Sequence, residues 1–354
     1  MVEAEKENKI VPLFFIIGRP RSGTTMLRYL LDAHPNVVIP GECNFILSLS
    51  RYYGQNVRLD SASLKQFPEI LSYSKHYSIF NIDEDKLKAE IEKLPQNPTL
   101  EELFQTVHFS CKTIHPKNEI LIRGDKNPAY SSELFHQIFK LYPNSKYVHL
   151  IRDYRDHITS YMKAKMELSS PIYLAIAWKK SIKRMNQYKL RYPSNFYTVT
   201  YECLVENPEK YLKEICDFAG IPYDKNMIDF YLNKEDYIAS QPNINYNFHH
   251  KSLFNPINKD RIGKWKEYLT GQELTAIEFI AGKTGEIYGY NYNHKKLTFL
   301  ASIIILKGQI QYIIFILFRK ILFSIPLKRR HNTMQKLARI KPIMKLYRFI
   351  VPTK

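Results

Sequence analysis

Residues 14–42, FFIIGRPRSGTTMLRYLLDAHPNVVIPGE, carry the strongest indication of the fold. An apolar run at 13–17 is short enough to be a buried strand, and a turn containing glycine and proline separates it from a helical pattern over 24–33. We expect that helix to end near His34-Pro35, because a residue that precedes proline avoids the helical region. The stretch therefore predicts a strand, a tight turn and a helix.

The turn has the spacing of a phosphate-binding loop. Gly18 and Gly23 form a GxxxxG pattern, and the backbone N–H groups at the start of a helix suit an anion. The hydroxyls of Ser22, Thr24 and Thr25 add hydrogen-bond donors. The lysine that kinases and NTP-hydrolysing enzymes carry after the second glycine is missing, which argues against those classes. A plain strand-to-helix turn is the alternative interpretation.

Strand and helix patterns alternate through the rest of the first 290 residues. The predicted strands are 119–123, 146–151 and 196–200. One predicted helix starts at 131, a second ends at 161 and a third covers 171–190. Residues 45–118 are predicted to be mostly helical and to form an insertion on the acceptor side. This order predicts an α/β fold: a P-loop-like domain over 1–290, with a mostly parallel central sheet flanked by helices and ligands at the carboxyl ends of the strands.

The net charge of +18 belongs mainly to the C-terminal extension, residues 291–354. This segment has fourteen Lys or Arg and no Asp or Glu, so that the 52 basic residues of the chain less these fourteen leave 38 against 34 acidic ones, a net charge of +4. A nearly balanced body without an RNA-recognition or helix-turn-helix pattern predicts no nucleic-acid partner.

The extension also has two apolar runs, 297–306 and 310–318, with Lys307, Gly308 and Gln309 between them. Neither run reaches the roughly 20 residues that a membrane-spanning helix needs. An apolar, basic segment without acids predicts a helix at an anionic membrane surface, and residues 339–348 repeat the pattern. A helical hairpin packed on the domain and a homodimer contact are the alternatives.

Cysteines and histidines indicate neither a disulfide framework nor a metal site. The cysteines are scattered without a CxxC pattern, at Cys43, Cys111, Cys203 and Cys216. His249 and His250 lack partners at metal-ligand spacing, so no metal is expected. The polar N-terminal segment has no apolar signal region, and together with free thiols it predicts a cytoplasmic protein, peripheral to the inner face of the membrane.

The run PRSGTT, followed by LLDAHPNV and GE, resembles the sulfotransferases that use 3′-phosphoadenosine-5′-phosphosulfate (PAPS), and especially the branch of tyrosylprotein sulfotransferases and their bacterial relatives. The resemblance covers about residues 12–270. It implies that the 5′-phosphosulfate is bound by a continuous set of residues, Arg21, Ser22, Gly23, Thr24 and Thr25. It also implies that Glu42 is the general base, with Arg21 assisting catalysis. His34 is the competing base, because cytosolic small-molecule sulfotransferases use a histidine.

Two later segments complete the resemblance at the reacting groups. RGDKNP, residues 123–128, implies that Lys126 stabilises the charge that develops near the bridging oxygen. KYVHLIRDYRDHITS implies that Arg152 and Ser160 bind the 3′-phosphate, which suits the bidentate donors of arginine. Arg155 lies in the same turn and could assist Arg152.

Two further segments resemble cofactor-binding parts of the family. YECL at Tyr201 resembles the YEDL segment, with Cys203 in place of the usual aspartate. Residues 260–266, DRIGKWK, resemble the GKW segment that closes over the nucleotide, which implies roles for four residues, Arg261, Gly263, Lys264 and Trp265. A position in the core is the alternative for Trp265.

These features predict a PAPS-dependent O-sulfotransferase. The membrane-seeking extension favours a lipophilic alcohol, such as a sterol or lipid, as the acceptor. A glycan or lipid-linked saccharide is the second choice, and protein tyrosine is less favoured because the chain lacks an N-terminal anchor. A P-loop kinase and a non-catalytic membrane-binding protein are alternatives of other classes.

Overall fold

The computed structural model describes residues 13–54, 56–74, 76–131, 134–164, 170–239, 255–293 and 296–324. The predictions for the N-terminal twelve residues, for His249 and His250, and for 339–348 lie outside these described residues.

Five parallel strands form one sheet. They are β1 (Phe14–Ile17), β2 (Val37–Val38), β3 (Ile122–Lys126), β4 (Lys146–Ile151) and β5 (Phe196–Thr200), in the order β2-β3-β1-β4-β5. Ile16 of β1 pairs with Lys126 of β3 and with Val148 of β4, so the carboxyl ends of the three central strands lie side by side. The predicted α/β fold with a parallel sheet is confirmed.

Helices cover both faces of this sheet. Those of the described residues are α1 (Thr24–Asp32), α2 (Phe45–Tyr53), α3 (Ser61–Ser72), α4 (Glu84–Glu92), α5 (Leu100–Phe109), α6 (Phe135–Leu141), α7 (Tyr154–Lys163), α8 (Pro171–Arg191), α9 (Tyr201–Glu206), α10 (Pro208–Ala219), α11 (Lys234–Ala239), α12 (Gly271–Gly285) and α13 (Phe299–Ser324). Helices α2 to α5 make residues 45–118 mostly helical, as predicted.

The core follows from the alternation of side chains along the strands. Phe15 and Ile17 of β1 point to one face and pack with aromatic residues of the helical segment 45–118, such as Phe45 and Phe104. Phe14 and Ile16 point to the other face, where α1 and α10 cover them. The helical segment 45–118 therefore shares a core with the sheet.

Strand β3 begins and ends three residues later than the predicted 119–123. The predicted loop begins after Arg123, but the strand continues because the polar residues on both sides of Gly124 are buried with partners: Arg123 donates to the carbonyl of His108 at 2.8 Å, and Asp125 lies 3.1 Å from the His108 ring. Buried polar groups that are hydrogen-bonded are tolerated in a strand. Lys126 is therefore the last residue of β3 and not part of the following loop. The two-residue strand β2 was not predicted.

The two apolar runs of the extension belong to one continuous helix, α13, so the residues between them, Lys307, Gly308 and Gln309, do not interrupt it. Lys307 is exposed, and Gly308 is needed for packing, because a Cβ atom at that position would come within 2.3 Å of Ile172. By length and composition alone, its residues Phe299–Leu317 could cross a membrane. Ala301 and Ile305 are buried in a third core cluster with residues of α7, α8 and α12.

Candidate active site

The glycine-containing turn follows β1 and leads into α1. Gly23 has a φ of 93°, and a Cβ atom there would come within 2.6 Å of the Tyr201 ring, so only glycine suits this position. Arg21 also takes a left-handed φ, 70°, which residues other than glycine seldom adopt. Strain of this kind is typical of functional sites.

The start of α1 provides donors for an anion. Gly23 is the N-cap residue and has no side chain that could accept from the first turn, so the N–H groups at the start of the helix are not capped by it. Ser22 and Thr24 are buried beside this turn, and Thr25 is half-buried. Open N–H groups and the positive end of the helix dipole make this turn a fit place for a phosphate or sulfate.

Arg152 lies beside the same turn, directly after β4. Its two terminal nitrogens donate to the carbonyls of Arg21, at 3.1 Å, and Arg261, at 2.6 Å, and its guanidinium lies 4.7 Å from the centre of the Tyr201 ring. Its Nε atom is buried and has no hydrogen-bond partner among the described residues. A buried donor without a partner is costly, so it indicates a site for an anionic ligand.

Arg21 and Ser160 join the two halves of this region. The Nε atom of Arg21 donates to the Ser160 hydroxyl at 3.3 Å. Burial, and then the nearby charges of Arg152 and Arg261, lower the pKa of Arg21. Within the described part of the chain, neither Arg21 nor Arg152 forms an ion pair with a carboxylate. Positive charge is thus concentrated here and is suited to an anion.

Glu42 and Lys126 form an ion pair at the carboxyl end of β3. Lys126 Nζ lies 2.7 Å from Glu42 Oε2, and the side chains are 5% and 31% exposed, respectively. The cation is therefore nearly buried, whereas the carboxylate can be reached from solvent. This arrangement brings together the two groups that the sequence predicts as base and charge-stabilising cation.

Asn127 holds the segment that follows Glu42, a function that the sequence did not indicate. Its side-chain amide donates to the Cys43 carbonyl at 3.2 Å and to the Asn44 side chain at 3.3 Å, and its oxygen accepts from the Ala129 N–H at 2.9 Å. These bonds connect the end of β3 to the Glu42 turn, so they set where the carboxylate lies relative to Lys126.

His34 is fully occupied in structural hydrogen bonds. Its Nδ1 accepts from the Asn36 N–H at 3.0 Å, which leaves Nε2 to donate to the Pro222 carbonyl at 2.8 Å. A ring that is buried and has both nitrogens engaged has no free position for the proton of a substrate. This geometry favours Glu42 over His34 as the base.

The segment 261–265 is held in place by Asp156, which the sequence did not single out. The Asp156 carboxylate accepts from the Gly263 N–H at 2.7 Å and from the Trp265 N–H at 2.9 Å. Burial raises the pKa of Asp156, while these two N–H bonds and Arg152 act against the rise. Because α7 also follows Arg152, this carboxylate ties segment 261–265 to the region of Arg152.

Two predicted side chains of this segment contact residues outside the anion turn. Lys264 pairs with Glu267 at 2.7 Å and is 44% exposed, so its charge faces solvent. The Trp265 ring lies against the guanidinium of Arg155, 4.4 Å from it. Arg155 is itself paired with Asp153, at 2.7 Å, so its charge is already balanced and it is not placed to bind an anion together with Arg152.

Comparisons with known proteins show the family of this chain. A family model described as "Sulfotransferase family" matches residues 12–225, more than half of the chain. The chain therefore belongs to the sulfotransferase family. The sulfotransferase domain of the Synechococcus PCC 7002 olefin synthase is structurally similar, with a TM-score of 0.57 and 20% identity over 82% of this chain and 99% of that one. At that identity the likeness shows the fold alone.

Several curated relatives carry the name protein-tyrosine sulfotransferase. The chain is 27% identical to protein-tyrosine sulfotransferase 1 of Danio rerio and 26% identical to the Drosophila melanogaster enzyme, over 73% and 77% of this chain. It spans 66% and 51% of the lengths of these two relatives. A putative protein-tyrosine sulfotransferase of Caenorhabditis briggsae is 23% identical over 80% of this chain and 91% of its own length.

Proposed function

We propose that this protein is a PAPS-dependent O-sulfotransferase in which Glu42 is the general base. One observation carries the proposal. The carboxyl ends of β1, β3 and β4 bring the anion-binding turn, the Glu42–Lys126 pair and Arg152 to one edge of the sheet. Ligands of open parallel sheets bind at this edge.

The residues of the site fit the donor. PAPS carries a 5′-phosphosulfate and a separate 3′-phosphate, so it needs two anion sites. The N-terminus of α1 with Ser22 and Thr24 suits the first, and Arg152 with Ser160 suits the second. The unpartnered Nε of Arg152 supports this assignment, because a phosphate oxygen would satisfy it.

When bound, PAPS supplies the sulfuryl group. The Glu42 carboxylate accepts the proton of the acceptor hydroxyl as the acceptor oxygen forms its bond to sulfur. The bond from sulfur to the bridging oxygen breaks, and the Lys126 ammonium, fixed at the end of β3, stabilises the negative charge on that oxygen. Arg21 can stabilise the transferring group from the turn. The acceptor proton would thus end on Glu42 and the sulfuryl group on the acceptor oxygen, while 3′-phosphoadenosine-5′-phosphate would leave with the former bridging oxygen.

We propose a lipophilic alcohol, such as a sterol or lipid, as the acceptor. The large exposed apolar surface of α13 supports it, because a protein at a membrane meets acceptors of this kind. Protein tyrosine is the second candidate, supported by the names of the relatives, and a glycan or lipid-linked saccharide is the third. A cytoplasmic location is part of the proposal and is supported by the four cysteines, all of which are free thiols.

The donor and the base are tested separately. Calorimetry with 3′-phosphoadenosine-5′-phosphate should show binding by the wild type, and its absence would refute the proposed donor. Glu42→Gln should bind this nucleotide as the wild type does but turn over about 10²-fold more slowly, because only the proton acceptor is lost.

Glu92→Gln is the matched control for the base. Glu92 is an exposed carboxylate at the end of α4, so its replacement should leave turnover unchanged. If Glu42→Gln retains wild-type turnover, another residue is the base. The acceptor is tested with labelled PAPS against sterols, hydroxylated lipids, tyrosine peptides and glycans; labelling of the peptides alone would replace the lipophilic acceptor by the second candidate.

A further inference from the structure

Helix α13 has one face that packs on the body of the protein. This packed face repeats at intervals of four and three residues and consists of Ala301, Ile305, Gly308, Tyr312 and Phe315. Phe315 meets the Tyr173 ring with centroids 5.2 Å apart, and Lys180 donates to the Tyr312 hydroxyl at 2.9 Å. From Ala301 to Phe315, about 21 Å at 1.5 Å per residue, the helix is therefore attached to the body of the protein, where it contacts α8 and α12.

The opposite side of α13 is apolar and exposed. At 100° per residue, one stripe lies across the helix from the packed face. This outer face consists of Phe299, Ile303, Leu306, Ile310, Ile313, Ile314, Leu317 and Ile321, each between 48% and 80% exposed. Exposed apolar surface that is this continuous is typical of a site that meets a partner or a membrane.

Charge decides which partner the outer face suits. From Asn291 to the C-terminus the chain has fourteen basic residues and no acidic one, and nine of the fourteen follow residue 324. Two copies of such a segment would repel one another, whereas the headgroups of anionic phospholipids would attract it. The outer face is thus better suited to an anionic bilayer than to a second copy of the chain.

The packed face also decides how α13 lies. A helix that crossed the bilayer would carry α8 and α12, which contact it, into the hydrocarbon, and Lys180 at that contact would lose its water. A helix in the plane of the surface keeps its attachment and buries only the outer face. We infer that the outer face of α13 docks on anionic phospholipid membranes. The helix lies in the plane of the interface, and the basic side chains of the C-terminal extension interact with the headgroups.

The full-length chain is tested by flotation with two kinds of vesicle, pure phosphatidylcholine and phosphatidylcholine with phosphatidylserine. It should float with the anionic vesicles, and salt should weaken this binding because the headgroup attraction is screened. The outer-face variant Leu306→Gln/Ile310→Gln/Ile313→Gln should bind these vesicles at least about tenfold more weakly, because three apolar contacts are lost.

The matched control is Val57→Gln/Leu121→Gln/Leu232→Gln, which replaces three exposed apolar residues outside α13 and should bind vesicles as the wild type does. Circular dichroism and binding of 3′-phosphoadenosine-5′-phosphate should be unchanged in both variants, so the outcome does not depend on the proposed sulfotransferase activity. Equal binding by the two variants would overturn the inference. So would a wild-type dimer that the outer-face variant converts to a monomer without lipid, or resistance of the bound protein to extraction at alkaline pH.

Discussion

At the scale of single residues, burial distinguishes Arg152 from Lys264, although both are basic residues of segments that resemble cofactor-binding motifs. Arg152 is buried and its Nε has no partner in the part of the chain that the structure describes, whereas Lys264 is paired with Glu267 at the surface. Arg152→Lys should weaken binding of 3′-phosphoadenosine-5′-phosphate about tenfold or more, because lysine cannot replace a bidentate guanidinium. Lys264→Ala should change the affinity less than about twofold, since exposed ion pairs contribute little.

Calorimetry on the two variants measures both effects. Arg152→Lys keeps a positive charge, so a large loss reports on the geometry of the guanidinium and not on net charge. Comparable losses in the two variants would mean that Lys264 reaches the nucleotide when it binds, contrary to its position beside Glu267.

The sequence predicted the residues of the site better than their contacts. Glu42, Lys126 and Arg152 each belong to a recognisable motif at or shortly after the end of a strand, and the carboxyl ends of parallel strands meet at one edge. The 2.7 Å contact between Lys126 and Glu42 joins residues 84 positions apart, which no local pattern specifies. The sequence does not indicate the roles of Asn127 and Asp156 for the same reason. Both side chains act through hydrogen bonds to segments that are distant along the chain.

At the scale of elements, Asp156 of α7 acts as a clamp on the segment that contains Gly263. In Asp156→Asn, one of the two oxygens becomes an NH2 group, which can only donate and therefore opposes one of the two N–H groups. The segment should be released, so trypsin should cleave after Lys264 or Lys266 several-fold faster. Mass spectrometry of timed digests measures the rate and the cleavage sites.

Glu267→Gln is the control for the clamp, because it removes only the exposed pair with Lys264. It should leave cleavage after Lys266 near the wild-type rate. If both variants are cleaved at the same rate, the Asp156 bonds do not hold the segment. Adding 3′-phosphoadenosine-5′-phosphate should slow cleavage of the wild type if the segment closes over the nucleotide.

The bounds of strands and helices were predicted well where the pattern of apolar residues alone sets them. They were predicted poorly where contacts with distant residues set them. β4 and β5 have the predicted bounds, since both are apolar runs between polar turns. β3 continues beyond Arg123 because Asp125 is buried beside the His108 ring, information that a sequence pattern does not contain. α13 joins two apolar runs because Gly308 fits against Ile172.

At the scale of the whole molecule, buried neutral histidines should make the fold sensitive to mild acid. His149 in β4 and His157 in α7 are both buried. Burial, and then Lys189, lowers the pKa of His149 to about 3, and burial, and then Arg19, lowers that of His157 well below its ordinary value. In the unfolded chain, histidine has a pKa of about 6.5. As the pH falls through that value, the unfolded chain takes up protons that the folded chain does not.

The free energy of unfolding should therefore fall as the pH drops below 6.5, by up to about 1.4 kcal/mol per pH unit for each such histidine, and for His149 this fall should continue to about pH 3. Above pH 6.5 both states are neutral at these positions, so stability should be level there. Urea unfolding at pH 7.5, 6.0 and 5.0 measures the slope. His149→Gln removes one titrating group and should give a shallower slope whatever its effect on stability at pH 7.5. Carboxylates titrate mostly below pH 5.0, the lowest pH of this measurement. An unchanged slope in His149→Gln would therefore mean that His149 is protonated in the folded protein as readily as in the unfolded chain.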